Sequence, residues 1–389
     1  MPIPSQPEIS EIARDLHFRS IVIDTHADTT QRLIYDGFDL GERHTDGSID
    51  IPRMREGGVG AIFLAIWTQG TVTGPEAVRR ALEQIAAVRR QVTLHSDDLV
   101  LATTADDIRR AREARRIAIL MGLEGGHMMN HDLAVLRQYA SLGVSYVTLT
   151  HTRTTDWADA STDKPVHNGL SEFGKQVIVE MNRLGMIVDV SHVSDKAFQD
   201  VLEVSRAPVF ASHSSCRALC NATRNLSDEM IKALAAKGGL MQINFHVGFI
   251  SRQFREAENG QLELATWIED EAKRRCGENM ACRLLESDRI IRTLVGEGKL
   301  PRVEWTEIVR HIDHAAKIAG ADRVGLGSDF DGAEMPYGME DASRLPRITD
   351  ALLRMSYSES DIQKIVGENM LRLMQDVEAV AESMRGNTE

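Results

Sequence analysis

The amino-acid sequence predicts an α/β fold, a closed (β/α)8 barrel of the TIM type, on three observations. Eight short apolar runs rich in Val, Ile and Leu recur along the chain. Longer segments with helical spacing and charged faces separate them. Histidines and acids stand directly after most of the runs.

The runs are residues 21–24, 60–67, 117–123, 144–150, 186–190, 208–211, 239–245 and 324–327. Strands buried on both faces read as unbroken apolar stretches, and alternation with helices implies parallel strands joined by right-handed crossovers. Capping chemistry marks helix starts at Thr104-Ala-Asp-Asp and Ser194-Asp-Lys-Ala, and Leu184-Gly185 and Lys237-Gly238-Gly239 mark helix ends. Residues 251–300 hold 19 charged residues and predict a solvated helical insertion between the seventh and eighth strands, on the face where the loops gather. Residues 1–389 are expected to form one domain, because such barrels commonly exceed 250 residues with insertions.

Composition excludes several function classes. A formal net charge of −13 offers no positive field to a phosphate backbone, so no nucleic-acid partner is expected. No apolar run approaches the ~20 residues of a membrane helix, and the start of the chain has no basic, apolar leader pattern. A cytoplasmic protein without membrane contact is the expectation. Four cysteines are too few for a disulfide framework, and all four read as packing thiols, with Cys216 and Cys220 in an apparent helix.

In this architecture catalytic groups project from the C-terminal ends of the strands. The first run leads into His26-Ala-Asp28, the third into Glu124, the fourth into His151, the fifth into His192, the sixth into His213 and the eighth into Asp329. Singly, each has a plainer reading: His26 as a rim residue, Glu124 as an acid at a helix N-terminus, His192 and His213 as satisfied rim histidines. Together on converging strand ends they predict a metal site. Three histidines with two acids are the donor set of zinc rather than of calcium or magnesium. Glu124, between the His26/Asp28 pair and the His192/His213 pair in strand order, is the natural bridge between two ions, an arrangement suited to hydrolysing an amide. His311 and His314 share a helix face without an accompanying acid and read as solvated; His44, His127, His131 and His167 fall in loops.

From about Ile21 to Met374 the chain resembles the membrane, or renal, dipeptidases and their soluble bacterial relatives, a family of zinc metallopeptidases. The motifs are Val22-Ile-Asp-Thr-His26-Ala-Asp28, Asp50-Ile-Pro-Arg-Met-Arg-Glu-Gly-Gly-Val-Gly, Gly122-Leu-Glu124-Gly-Gly, Leu149-Thr-His151 with Trp157-Ala-Asp, and Gly169-Leu-Ser-Glu-Phe-Gly. Asp189-Val-Ser-His192-Val-Ser, Arg206-Ala-Pro-Val-Phe-Ala-Ser-His213-Ser-Ser, Arg224-Asn and Gly325-Leu-Gly-Ser-Asp329-Phe-Asp-Gly complete them. The resemblance implies one zinc ion on His26, Asp28 and Glu124, a second on Glu124, His192 and His213, and a bridging water whose hydroxide cleaves dipeptides, L,D pairs among them. It implies that His151 bonds the substrate carbonyl, Arg224 clamps the free carboxylate and Asp329 shuttles the proton. A homodimer is expected by analogy.

Two departures accompany the resemblance. His246 stands where the vertebrate enzymes are expected to carry Tyr, and the insertion is longer than theirs. A surface Arg224 paired with Asp228 is the alternative to the clamp. The competing functions are another binuclear hydrolysis, of an amide, lactone or phosphoester or by deamination, and an inactive barrel that only binds.

Overall fold

In the computed structural model, which describes residues 9–35, 37–259 and 262–386, nine parallel strands form the central sheet. They are β1 (Val22–Ala27), β2 (Val59–Trp67), β3 (Leu99–Leu101), β4 (Ile117–Glu124), β5 (Val144–Thr148), β6 (Ile187–Asp189), β7 (Phe210–Ala211), β8 (Leu240–Ile243) and β9 (Val324–Leu326). Eight of them close a barrel. β2 pairs with β4 from Ala61↔Ala118 to Trp67↔Glu124, and β9 returns to β1 at Asp24↔Leu326. The eight expected runs all become barrel strands, several shorter by a few residues.

β3 is the strand that the apolar runs do not announce. It lies outside the barrel, pairing Leu99–Leu101 with Ile117, Ala118 and Ile119 of β4, while β5 takes the same edge of β4 from Met121 onward. Residues 1–8, on which the leader expectation falls, lie outside the described residues. Among the described residues no helix is long and apolar enough to cross a membrane.

The strand period of two sorts side chains between two cores. Ile62, Leu64 and Ile66 of β2 and Ile119 and Met121 of β4 join the core beneath the surrounding helices. Ala61 and Phe63, with Ala118 and Leu120, fill the barrel interior beside Tyr146, Ile187, Phe210 and Leu240. Two further steps along β4 on the same inward face bring Gly122 and then Glu124 to the barrel's upper end. Gly122 is required there: a Cβ on it would overlap the Tyr146 ring. Met370, Leu371, Leu373 and Met374 of the helix Asn369–Gly386 pack with the inner core.

The capping signals hold. Thr104 makes a reciprocal capping box with Asp107, Ser194 caps the helix Asp195–Val204, and Gly185 ends its helix at φ 78°. The insertion is helical, with Arg252–Asn259, Leu262–Cys276 and Met280–Gly296. It is not wholly solvated, because Phe254, Ile290, Ile291 and Leu294 bury one face against the main core.

Two cysteine readings need correction. Cys276 and Cys282 are joined by a disulfide, with Cα atoms 5.6 Å apart, because the turn between two antiparallel helices brings them together; bridges of this kind persist in oxidising compartments. Cys216 and Cys220 are buried free thiols as expected, but they sit in a turn and not in a helix.

Candidate metal centre

Six strand ends deliver the sequence-predicted residues to one buried cluster. Among the described residues three groups have donor atoms close enough to share an ion: His26 with Asp28 and Glu124; Glu124 with His192 and His213; and His26 with His213 and Asp329. Glu124 stands at the centre. Its Oε1 lies 3.0 Å from His192 Nε2 and 3.3 Å from His213 Nε2, whereas its Oε2 lies 3.5 Å from His26 Nε2. One carboxylate thus turns a different oxygen to each histidine group, which is the geometry of a bridge.

The far sides of the rings are fixed by hydrogen bonds. Tyr146 Oη donates to Thr25 O at 3.2 Å, so at 2.8 Å it accepts from His26 Nδ1–H, which leaves Nε2 with a free lone pair. Ser212 Oγ donates to Asp189 Oδ2 at 2.6 Å and accepts from His213 Nδ1–H at 2.8 Å, with the same result. His26 Nε2 and Asp28 Oδ1 are buried without a hydrogen-bond partner. Aimed lone pairs and orphaned carboxylate oxygens fit a cation, and the donor types fit a transition metal.

Electrostatics point the same way. Burial opposes charge on His26, yet Tyr146, Glu124 and Asp28 around it raise its pKa well above the ordinary histidine value. The cluster demands positive charge at this point, from a proton or a bound cation. Burial also disfavours a charged Glu124, but His26 and His151, with His192 and His213 close by, hold its carboxyl far below the usual range. Burial and the neighbouring Glu124 push Asp28 up. His151, His192 and His213 are lowered, chiefly by burial.

The remaining predicted residues line a cavity of about 280 Å³ above the cluster. His151 sits with Nε2 3.9 Å from Glu124 Oε1, against Trp67 and His192, and its Nδ1 has no partner. Asp329 turns Oδ1 to within 3.9 Å of His26 Nε2, while Oδ2 accepts a 2.8 Å bond from Asn244 Nδ2. His213 and His26 outweigh burial and lower its pKa. Gly332 is needed beside it, since a Cβ there would overlap the Asp28 carboxylate.

Arg224 is buried rather than at the surface, and Asp228 pairs with His314 instead. Its guanidinium donates to His213 O at 3.1 Å and Ser214 Oγ at 3.4 Å, its Nε has no partner, and no carboxylate lies within ion-pair distance among the described residues. Burial lowers its pKa to about 10, still charged at neutral pH.

His311 is also buried, accepting from Cys216 N–H and facing Ile250 O, which corrects the expectation of a solvated face. His44 and His167 bond backbone oxygens, His131 pairs with Asp156, and His127 bonds Thr68 Oγ1. Sequence reasoning missed Tyr146, Asn244, Ser212 and Asp189. Tyr146 had a signal, its inward position on β5, and Asp189 ends β6 at the head of the Asp189-Val-Ser-His192-Val-Ser motif; Asn244 and Ser212 follow their strands and depend on loop geometry. It also missed backbone strain: His192 and Asp329 have φ of 69° and 67°, a left-handed conformation that costs about 1–3 kcal/mol and clusters at functional sites.

A family model described as membrane dipeptidase (peptidase family M19) matches residues 10–388. Dipeptidase 3 of Rattus norvegicus is 33% identical over 350 residues, covering 88% of this chain and 61% of its own length. The chain therefore spans about 61% of that relative's length. Dipeptidase tcpJ of Claviceps purpurea (strain 20.1) is 34% identical over 353 residues, 87% of this chain and 72% of its own. Among solved structures, the probable dipeptidase PvdM from Pseudomonas aeruginosa has a TM-score of 0.80 at 27% identity, covering 95% of this chain and 98% of its own. A metallopeptidase from Rhodobacter sphaeroides, liganded with a phosphinate mimic of the dipeptide L-Ala-D-Ala, shares the fold at a TM-score of 0.75 and 24% identity, over 92% and 99% of the two chains. With the family model spanning nearly every residue and the barrel's upper end gathering its histidines and carboxylates as described, the chain belongs to the membrane dipeptidase family, peptidase family M19.

Proposed function

We propose that this protein is a zinc-dependent dipeptidase. The observation that carries the reading is the pairing of a carboxylate that faces two histidine groups, Glu124, with a buried arginine that lacks an anion, Arg224. His26, Asp28 and Glu124 would hold one zinc ion, and Glu124, His192 and His213 the other. Zinc held there would supply a hydroxide equivalent near neutral pH and polarise the carbonyl under attack.

The protein's own residues do the rest. Arg224 binds the free C-terminal carboxylate of the substrate, so only the adjacent peptide bond reaches the cluster. His151, kept neutral by burial, donates a hydrogen bond to the carbonyl oxygen as charge develops on it. Asn244 occupies Asp329 Oδ2, leaving Oδ1 to take a proton from the attacking water and pass it to the nitrogen of the departing amine. The C–N bond breaks and two amino acids leave. Acceptance of a D-residue at the C-terminal position belongs to the same reading, supported by the ligand of the Rhodobacter sphaeroides relative.

A dipeptide library that includes L,D pairs, assayed on zinc-loaded and metal-stripped protein, tests the proposal. Metal-dependent cleavage of free dipeptides is the expected result. Hydrolysis of lactones or phosphoesters with no cleavage of dipeptides would replace it with a different binuclear hydrolase.

A further inference from the structure

The reaction cavity has a larger neighbour. A cavity of about 600 Å³ lies between the insertion helix Met280–Gly296 and the segment after β9, and the two share Leu284, Gly332, Ala333 and Glu334 as lining residues. At about 280 Å³ the reaction cavity is small even for a small-ligand site. It suits a dipeptide backbone, and a long side chain needs the space next door.

Charge decides which side chain. Both arginines of the larger cavity are already paired, Arg292 with Asp288 at 2.8 Å and Arg289 with Glu286 at 2.6 Å. Asp46 is likewise paired with Arg32 at 2.7 Å. Asp331 and Glu340 also lack a cation at ion-pair distance among the described residues, but they line the larger cavity alone and accept hydrogen bonds, Asp331 from Ser48 N–H and Thr29 Oγ1–H and Glu340 from Gly338 N–H; Glu334 stands on the wall that the two cavities share. The group within ion-pair distance of its carboxylate, among the described residues, is His246 Nδ1 at 3.2 Å, and burial lowers the pKa of that ring so that it stays neutral. Burial first, then Asp288, pushes Glu334 up to about 7, against a smaller lowering from Arg292. Glu258 and Asp329 add negative charge around the same histidine.

We propose that the larger cavity receives a cationic side chain of the substrate, with Glu334 as its counter-charge and Leu284 packing on its aliphatic stem. This rests on the dipeptidase reading and names the substrate class for it. His246 lies beside the Glu334 carboxylate, and the insertion contributes the opposite wall, so the subsite depends on the part of the chain that lengthens the loop after β8.

The test compares lysine with norleucine, a neutral side chain of similar length, in Lys-Ala against Nle-Ala and Ala-Lys against Ala-Nle, at pH 8 on zinc-loaded protein. At one of the two positions lysine is expected to raise kcat/KM roughly tenfold, and Glu334→Gln is expected to bring that ratio to within about twofold of one. Wild-type ratios near one at both positions overturn the subsite and leave the dipeptidase reading intact, as does a ratio that Glu334→Gln does not change. Failure to cleave any dipeptide overturns both. The wild-type ratios decide the matter alone if the variant does not fold.

Discussion

His192 and His213 bring their Nε2 atoms to 2.9 Å from each other, deep in the barrel and beside the same oxygen of Glu124. The Ser212 bond leaves His213 Nε2 without a proton, and both rings are held neutral by burial. Lone pairs gathered in this way around carboxylate oxygens are stable only around a positive charge, which is why the arrangement reads as a metal centre and not as a hydrogen-bonded rim.

Removing a support behind a ligand should weaken the metal without removing the ligand. Tyr146→Phe deletes the oxygen that holds His26 Nδ1–H. The expected result is a loss of about 10–100-fold in affinity at the His26/Asp28 position, measured by competition with a chelator. Unchanged affinity would mean that His26 needs no orientation.

Asp329→Asn should retain the metals and lower kcat by about 10²–10⁴-fold. Asparagine tolerates the φ of 67° at this position, so the variant is expected to fold. Near wild-type kcat with full metal content would transfer the proton role to another residue, Asp331 first.

Arg224 predicts discrimination at the substrate's C-terminus. A free dipeptide should be cleaved far faster than its C-terminal amide, and Arg224→Met should erase most of that difference at a cost of about 2–5 kcal/mol in kcat/KM. Equal rates for acid and amide on the wild type would rule out the clamp.

Stability should fall in mild acid through His17, which lies outside the site. Its Nε2–H donates to Gly57 O at 2.8 Å, its Nδ1 faces Thr349 Oγ1 at 2.7 Å, and burial lowers its pKa to about 4. The folded pKa lies below the unfolded value near 6.5, so protons favour the unfolded chain. The stabilisation is full above about pH 6.5 and declines toward pH 4, by about 2 kcal/mol at pH 5. Urea unfolding at pH 7 and pH 5 should show a larger loss for the wild type than for His17→Gln; identical losses would contradict the assignment.

Much of this was legible in the sequence because strand period and barrel topology are local rules with long-range consequences. Once Glu124 ends an inward-facing run, its place beside His26 follows from the closure of β2 on β4. What stayed hidden depends on contacts between distant segments. β3 has three residues, too few for a pattern, and exists because β4 offers a free edge. The Cys276–Cys282 bridge needs a helical hairpin that charge content alone does not announce. Arg224 could be a surface residue or a buried one until the loop after β7 folds over it, and the left-handed backbones of His192 and Asp329 are invisible to residue type.

In the proposed function Glu124 joins two ions in one hydrolytic site. Metal-stripped protein titrated with zinc, while hydrolysis of L-Ala-L-Ala and L-Ala-D-Ala is followed, tests it most directly. Activity is expected to rise until two equivalents are bound per chain, and Glu124→Gln is expected to lose binding of both. Full activity at one equivalent, or retention of both ions by Glu124→Gln, would contradict it.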